Sequence, residues 1–89
     1  MRISRNFPAL RLSKTRLDKA GVDIDEIVRD LEEWFLVRVW TAEEKEDIYV
    51  LFESERDRAS AAKGLSLNDV PYSRVPGGRT LAFDVEEVM

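Results

Sequence analysis

The spacing of the apolar residues changes near residue 35 from a helical period to an extended one, which restricts the chain to a fold that mixes helix and sheet. Before that point, apolar side chains recur three, four and seven positions apart, as on one stripe of a helix. They are Ile24, Ile27, Val28, Leu31 and Trp34. We therefore predict an amphipathic helix that begins at Asp23 or Asp25, with an acidic outer face along residues 23–33.

Two later segments alternate in the manner of strands. Residues 35–41 and 47–53 are rich in β-branched and aromatic residues, and an acidic connection separates them, so they predict an antiparallel hairpin. The residues expected to face the helices are Leu10, Leu12, Val37, Val39, Ile48, Val50, Phe52, Leu81, Phe83 and Val85. Those expected on the opposite face are Arg11, Leu36, Arg38, Trp40, Tyr49, Leu51, Ala82 and Asp84.

Capping residues delimit two further helices. Ser13 can cap a short helical segment over residues 14–20, and Gly21 is suited to end it. Ser54 begins a capping box in form, since an acid follows three residues later, and Gly64 with the leucine after it predicts the stop of that helix.

The remaining elements complete one small domain over residues 1–89. Residues 1–12 are a basic N-terminal arm that contains a weak first strand, and residues 76–79 resemble a tight hairpin turn between strands 72–75 and 80–85. The order predicts an α+β fold, a ferredoxin-like β-α-β-β-α-β sandwich. Its four-stranded antiparallel sheet would carry two helices on one face, with an extra short strand before the last.

The composition argues against catalysis. The chain contains no Cys and no His, which removes thiolate nucleophiles, thiolate zinc sites and the commonest general base. Its acidic pairs fall in predicted loops and helix starts, where solvent and the helix dipole account for them. We expect a binding protein with no enzymatic activity, no metal and no cofactor. Because no apolar run approaches membrane-spanning length and no signal-peptide core is visible, we expect a cytoplasmic location.

The charge is unevenly distributed along the chain. Residues 1–20 carry six basic residues and one acid, whereas the rest of the chain carries eight basic and 17 acidic residues. The two parts therefore bear +5 and −9, which gives the net charge of −4. A basic arm on an acidic body predicts either a contact with nucleic acid or an arm lying on its own acidic surface.

Residues 45–85 resemble the second half of an RNA recognition motif. The longer ribonucleoprotein octamer of that family is matched at Lys45, Tyr49, Val50 and Phe52. The chain departs from it at Glu46, Asp47 and Ile48, and residues 9–14 lack the family's shorter motif. After the octamer come an alanine-containing helix and residues 78–85, which are similar to the family's closing loop and last strand. The resemblance implies a ferredoxin-like fold and single-stranded RNA as ligand.

The predicted sheet face opposite the helices combines aromatic rings with basic side chains. Its candidate nucleic-acid-binding residues are Arg11, Arg38, Trp40, Lys45 and Tyr49. Rings can stack on bases while arginines contact phosphate. The alternative is a regulatory or inhibitory protein-interaction module that uses the same face, or the acidic helix over residues 23–33. In a further alternative, the rings pack in a homodimer or lie under the N-terminal arm or a C-terminal segment.

Overall fold

The computed structural model describes residues 2–84 as three helices and six strands. They are β1 (Arg2–Phe7), β2 (Ala9–Ser13), α1 (Lys14–Ala20), α2 (Ile24–Phe35), β3 (Val39–Glu43), β4 (Asp47–Phe52), α3 (Glu55–Leu67), β5 (Ser73–Arg74) and β6 (Arg79–Asp84). The α+β class expected from the sequence is confirmed. The expected position of Val85 lies outside the described residues.

Four strands form an antiparallel sheet in the order β3-β4-β2-β5. The predicted hairpin is confirmed as β3 and β4, in which Val39 pairs with Phe52 and Thr41 with Val50. One face of this sheet packs against the helices and forms the main core. Its fully buried members include Leu10, Leu12, Val50, Phe52 and Ala61. The alternation of apolar residues along β2 and β4 therefore predicted correctly which face of the sheet packs against the helices.

The last long strand does not join this sheet. Only the two residues of β5 pair with β2, and β6 instead pairs with β1 in a separate antiparallel ribbon, from Phe7↔Arg79 to Arg2↔Asp84. Pro8, which has no N–H, separates β1 from β2, and its carbonyl accepts a hydrogen bond from Phe52 N at 2.9 Å. The ribbon thus continues the β2–β5 pair beyond the sheet.

The hairpin predicted around residues 76–79 is wrong, because β5 and β6 do not pair with each other, although residues 76 and 77 do form a turn. Leu10 pairs with Arg74 and Phe7 with Arg79, so three steps along one side correspond to five along the other. The two extra residues form a bulge, closed by a 3.0 Å hydrogen bond from Gly78 N to Val75 O. The positive φ expected of the glycines is confirmed, at 78° for Gly77 and 71° for Gly78.

The predicted caps at the helix starts are confirmed. Ser13 Oγ accepts from Arg16 N at 3.4 Å, Asp23 Oδ1 from Asp25 N at 3.0 Å, and Ser54 Oγ from Asp57 N at 3.1 Å. These bonds satisfy N–H groups that have no partner inside the first helical turn. Among residues 2–84, no helix has the length and apolar character needed to cross a membrane.

Two predicted boundaries are wrong. Gly64 does not end α3, which continues to Leu67 and is capped by Asn68, whose Nδ2 donates to Gly64 O at 2.8 Å. A Cβ at Gly64 would lie 2.6 Å from Phe35 Cζ, so this glycine serves helix packing rather than helix termination. The strand expected from residue 35 begins at Val39 instead, since α2 continues through Phe35 and ends at Leu36 in the left-handed region.

Candidate binding site

The aromatic side of the sheet carries a second, smaller core. Phe7, Ala9 and Leu51 are fully buried there. Partly buried side chains pack around them, namely Trp40, Ala42, Tyr49, Val75 and Leu81. The expected placement of Trp40, Tyr49 and Leu51 away from the helices agrees with this arrangement. The expectation for Leu81 is wrong, because β6 belongs to the ribbon and brings this side chain against the aromatic side.

The β1–β6 ribbon curls over the sheet and covers this side. The ring centroids of Phe7 and Trp40 are 5.0 Å apart and their planes are tilted by 41°. Phe7 belongs to β1, which runs directly into β2, and Trp40 belongs to β3, so their contact crosses β4, which lies between β2 and β3. The burial of Phe7 at 1% exposure shows how closely the ribbon packs. The aromatic side is therefore partly covered by the ribbon rather than an open platform.

Arginine side chains lie over the rings of this second core. The Arg79 guanidinium carbon is 4.0 Å from the Tyr49 ring centroid, and the same side chain forms an ion pair with Glu44. The corresponding distance from Arg38 to the Trp40 ring is 5.5 Å. Such contacts are favourable because the face of an aromatic ring is electron-rich. They also occupy ring faces on which a base would have to stack.

The other two predicted nucleic-acid-binding residues lie apart from each other. Arg11 is exposed, pairs in register with Tyr49, and lines a shallow groove together with Arg16 and Tyr72. Lys45 is exposed in the turn between β3 and β4. The structure thus brings Arg38 next to Trp40 and Arg11 next to Tyr49. It leaves Lys45 at the end of the hairpin.

A different surface exposes large apolar side chains where α2 and α3 end. Trp34 is 78% exposed, Leu36 88% and Leu67 75%, and Phe35 is also exposed. The burial expected for Trp34 is therefore wrong. The stripe that contains it continues beyond the part of α2 covered by the main core. The sequence signal that could have found this surface is the run of residues 34–36, because three consecutive large apolar residues cannot all face one side of a helix.

Two of these side chains, Trp34 and Phe35, line an apolar groove between the two helices, with a volume of about 370 Å³. We call it the α2–α3 groove. Its lining residues are Ile27, Asp30, Leu31, Trp34, Phe35, Gly64, Leu65, Asn68 and Val70. Buried Leu31, Leu65 and Val70 connect it to the main core. The absence of a side chain at Gly64 makes room for the Phe35 ring at its floor.

Asp30 is the carboxylate that lines the groove, and it belongs to an acidic stripe of α2. Glu26, Asp30 and Glu33 follow one another at spacings of four and three residues, which places them along one stripe of the helix. All three are exposed. Within residues 2–84, the ion pairs are Lys14–Glu43, Arg58–Glu55 and Arg79–Glu44, so none involves this acidic stripe. The α2–α3 groove therefore has an apolar floor and an acidic edge without a basic partner.

Comparison with protein-family models, with curated proteins and with solved structures gives no match for this chain. Within the part of the chain that the structure describes, no three acidic side chains cluster in a way that could hold a metal ion.

Proposed function

We propose that this chain is a protein-binding module, without enzymatic activity, and that it docks its partner on the α2–α3 groove. The observation that carries the proposal is the exposure of Trp34 and Phe35 in the lining of one apolar groove. Contiguous apolar surface of this kind on a small domain is typical of an interaction site. Tryptophan is also enriched among the residues that dominate binding energy in protein interfaces.

Single-stranded RNA bound across the sheet is the competing proposal. The presence of Arg11, Arg38, Trp40 and Tyr49 on or beside one face favours it. The ribbon disfavours it, because Phe7 and Arg79 already contact the two rings. RNA could stack there only after the ribbon had moved and the second core had lost buried apolar contacts. The groove offers exposed contact area without any such rearrangement.

We further infer that β2, α2, β3, β4, α3 and β5 form a ferredoxin-like unit, with β5 in the place of the last strand. The strand order β3-β4-β2-β5 supports this inference, as does the position of one long helix after β2 and another after β4. The β1–β6 ribbon is then an addition to that unit. In this proposal, the resemblance to the RNA recognition motif concerns the fold and not the ligand.

Site-specific crosslinking in an extract of the source cells tests the proposed function. A photoreactive phenylalanine analogue at Leu67 should give a discrete protein adduct that ribonuclease treatment does not remove. The same analogue at Tyr49, on the covered side of the sheet, serves as the matched control and should give none. Adducts from position 49 alone, or adducts lost after ribonuclease treatment, would contradict the proposal and favour RNA.

A further inference from the structure

The α2–α3 groove is acidic along its edge and apolar along its floor, and this combination selects the chemistry of its occupant. Glu26, Asp30 and Glu33 lie along α2, and Asp69 follows α3. The nearby basic residues are Arg29, which lies between Glu26 and Glu33 on α2, and Lys63, which precedes Gly64 in α3. In the described part of the chain, neither forms an ion pair with the stripe. A partner that brings several cations beside its apolar residues would neutralise charges that have no counterpart within residues 2–84.

The length of the groove fits two turns of a helix. Its lining along α2 runs from Ile27 to Phe35, and eight steps at a rise of about 1.5 Å span roughly 12 Å. A partner helix with apolar residues at spacings of three, four and seven presents a stripe of the same length. Trp34 and Leu67 are exposed beside the groove and can contact both sides of such a stripe.

The same charges argue against two other occupants. A second copy docked through this groove would bring a second acidic stripe into the same interface. Like charges held at an interface are unfavourable and suppress that pairing. Nucleic acid would meet the same repulsion, because its phosphates are negative.

From these observations we propose that the α2–α3 groove binds a basic amphipathic helix of a partner protein. Apolar residues of that helix contact Trp34, Leu67 and the groove floor, while its lysines or arginines lie along Glu26, Asp30 and Glu33. This inference rests on the proposed function, since it names the partner of the same surface. It goes beyond that function because it requires the groove to prefer a basic partner over an acidic one.

Two synthetic peptides test the inference on the full chain. Both have 14 residues and the same leucine stripe, but the polar positions are lysine in one and glutamate in the other. Fluorescence anisotropy of the labelled peptides, measured at low and at high salt, gives their affinities. The lysine peptide should bind at least about tenfold more tightly than the glutamate peptide, and its advantage should shrink with added salt.

Charge reversal at one residue locates the binding. Asp30→Lys should weaken the lysine peptide at least about fivefold, because it reverses a charge inside the groove. Glu46→Lys makes the same change of net charge in the exposed β3–β4 turn and should leave affinity within about twofold. Equal effects of the two variants, or equal affinities of the two peptides, would overturn the inference.

A further variant separates the failure of this inference from the failure of the proposed function. Leu67→Ser removes an exposed apolar contact and should leave the fold intact. If it weakens both peptides equally, the groove is a docking site without charge selection, and only the inference is wrong. If it weakens neither, the proposed function also fails. If sedimentation shows a dimer that Leu67→Ser dissociates, the occupant is a second copy.

Discussion

Phe52 and Tyr49 lie on the same strand but stabilise opposite sides of the sheet. Phe52 is fully buried in the main core, in the strand just before α3. Tyr49 is half-buried in the second core, where the Arg79 guanidinium covers one face of its ring. Replacement of either ring should therefore lower the free energy of unfolding. At Phe52 the loss comes from a cavity in the main core, and at Tyr49 from the contact with Arg79.

Phe52→Ala should lower the free energy of unfolding by about 3 to 5 kcal/mol, because it removes a buried ring and leaves a cavity. Urea denaturation followed by circular dichroism measures this loss. Phe35→Ala is the matched control, since that ring is 39% exposed, and it should cost clearly less. A loss below about 1 kcal/mol for Phe52→Ala would show that the orientation of β4 is wrong.

The contact between Arg79 and Tyr49 should be measurable as a coupling of about 0.5 to 1 kcal/mol. The appropriate cycle combines Tyr49→Leu, which keeps an apolar side chain, with Arg79→Met, which keeps the length of the chain. Because Arg79 also pairs with Glu44, the cycle isolates the part of its effect that depends on the ring. Additive losses in the double variant would mean that the guanidinium does not rest on Tyr49.

At the residue scale, alternation predicted which side of the sheet Tyr49 and Trp40 occupy, because a strand side chain has only two choices. It could not predict what covers them. Arg79 lies 30 positions after Tyr49 in the sequence, and its contact with the ring depends on the pairing of β6 with β1. Local patterns carry no information about such a contact.

At the element scale, the bulge between β5 and β6 is the feature that redirects the chain. It inserts two residues opposite β1 and β2, and both of its glycines adopt positive φ. Gly78 also packs tightly, since a Cβ there would overlap the carbonyl oxygen of Phe7. Gly77 has open space around it. A substitution at Gly77 therefore measures the conformational cost of adding a Cβ, whereas a substitution at Gly78 adds the cost of a steric clash.

Gly77→Ala should lower stability by about 1 to 2 kcal/mol, which is the cost of a left-handed conformation for a residue with a Cβ. Gly78→Ala should lower it further, because β1 must also move away from the new methyl group. Thermal unfolding compares the two variants, and hydrogen exchange at the amides of β1 localises the difference. Equal losses, with unchanged exchange in β1, would contradict the close approach of Gly78 to Phe7.

Element starts were more predictable than element ends. Ser13, Asp23 and Ser54 each accept a hydrogen bond from a nearby N–H, and that chemistry is visible in the sequence. The ends of α2 and α3 depend on packing between the helices, as the ring of Phe35 over Gly64 shows. A glycine that admits a neighbouring ring and a glycine that ends a helix have the same sequence signature.

At the scale of the whole molecule, the basic N-terminal part is built into the fold. Lys14 Nζ lies 2.6 Å from Glu43 Oε1, and the Arg5 guanidinium carbon lies 4.7 Å from the Phe7 ring centroid. The exposed acids of α2 have no such partners within residues 2–84. The acidic stripe beside the α2–α3 groove is therefore one charged surface that remains available to a ligand, and exposed Arg11 and Arg16 form another.

Titration with a pool of single-stranded RNA at low salt should leave the emission of Trp40 unchanged. The measurement requires the Trp34→Phe variant, because exposed Trp34 would otherwise contribute to the signal. We expect no response, since Phe7 and Arg38 already lie against the Trp40 ring and the net charge is −4. Quenching that weakens with added salt would favour the RNA proposal instead.

The change of hydrophobic period along the sequence predicted the α+β class. It did not predict the α2–α3 groove. A groove between two helix ends requires knowing how closely Phe35 approaches Gly64, and no spacing along the sequence encodes that approach. The acidic stripe of α2 was visible in the sequence. Its relevance to binding depends on the apolar groove that lies beside it.

The pairing of β1 with β6 also has a consequence for synthesis on the ribosome. β1 is made before the rest of this fold, but its partner strand begins at Arg79. At 5 to 20 residues per second, roughly 4 to 14 s separate the appearance of Phe7 from that of Arg79. During this interval Ile3 and Phe7 have no strand beside them, and the nascent chain offers an edge that chaperones or neighbouring chains can bind before the ribbon closes.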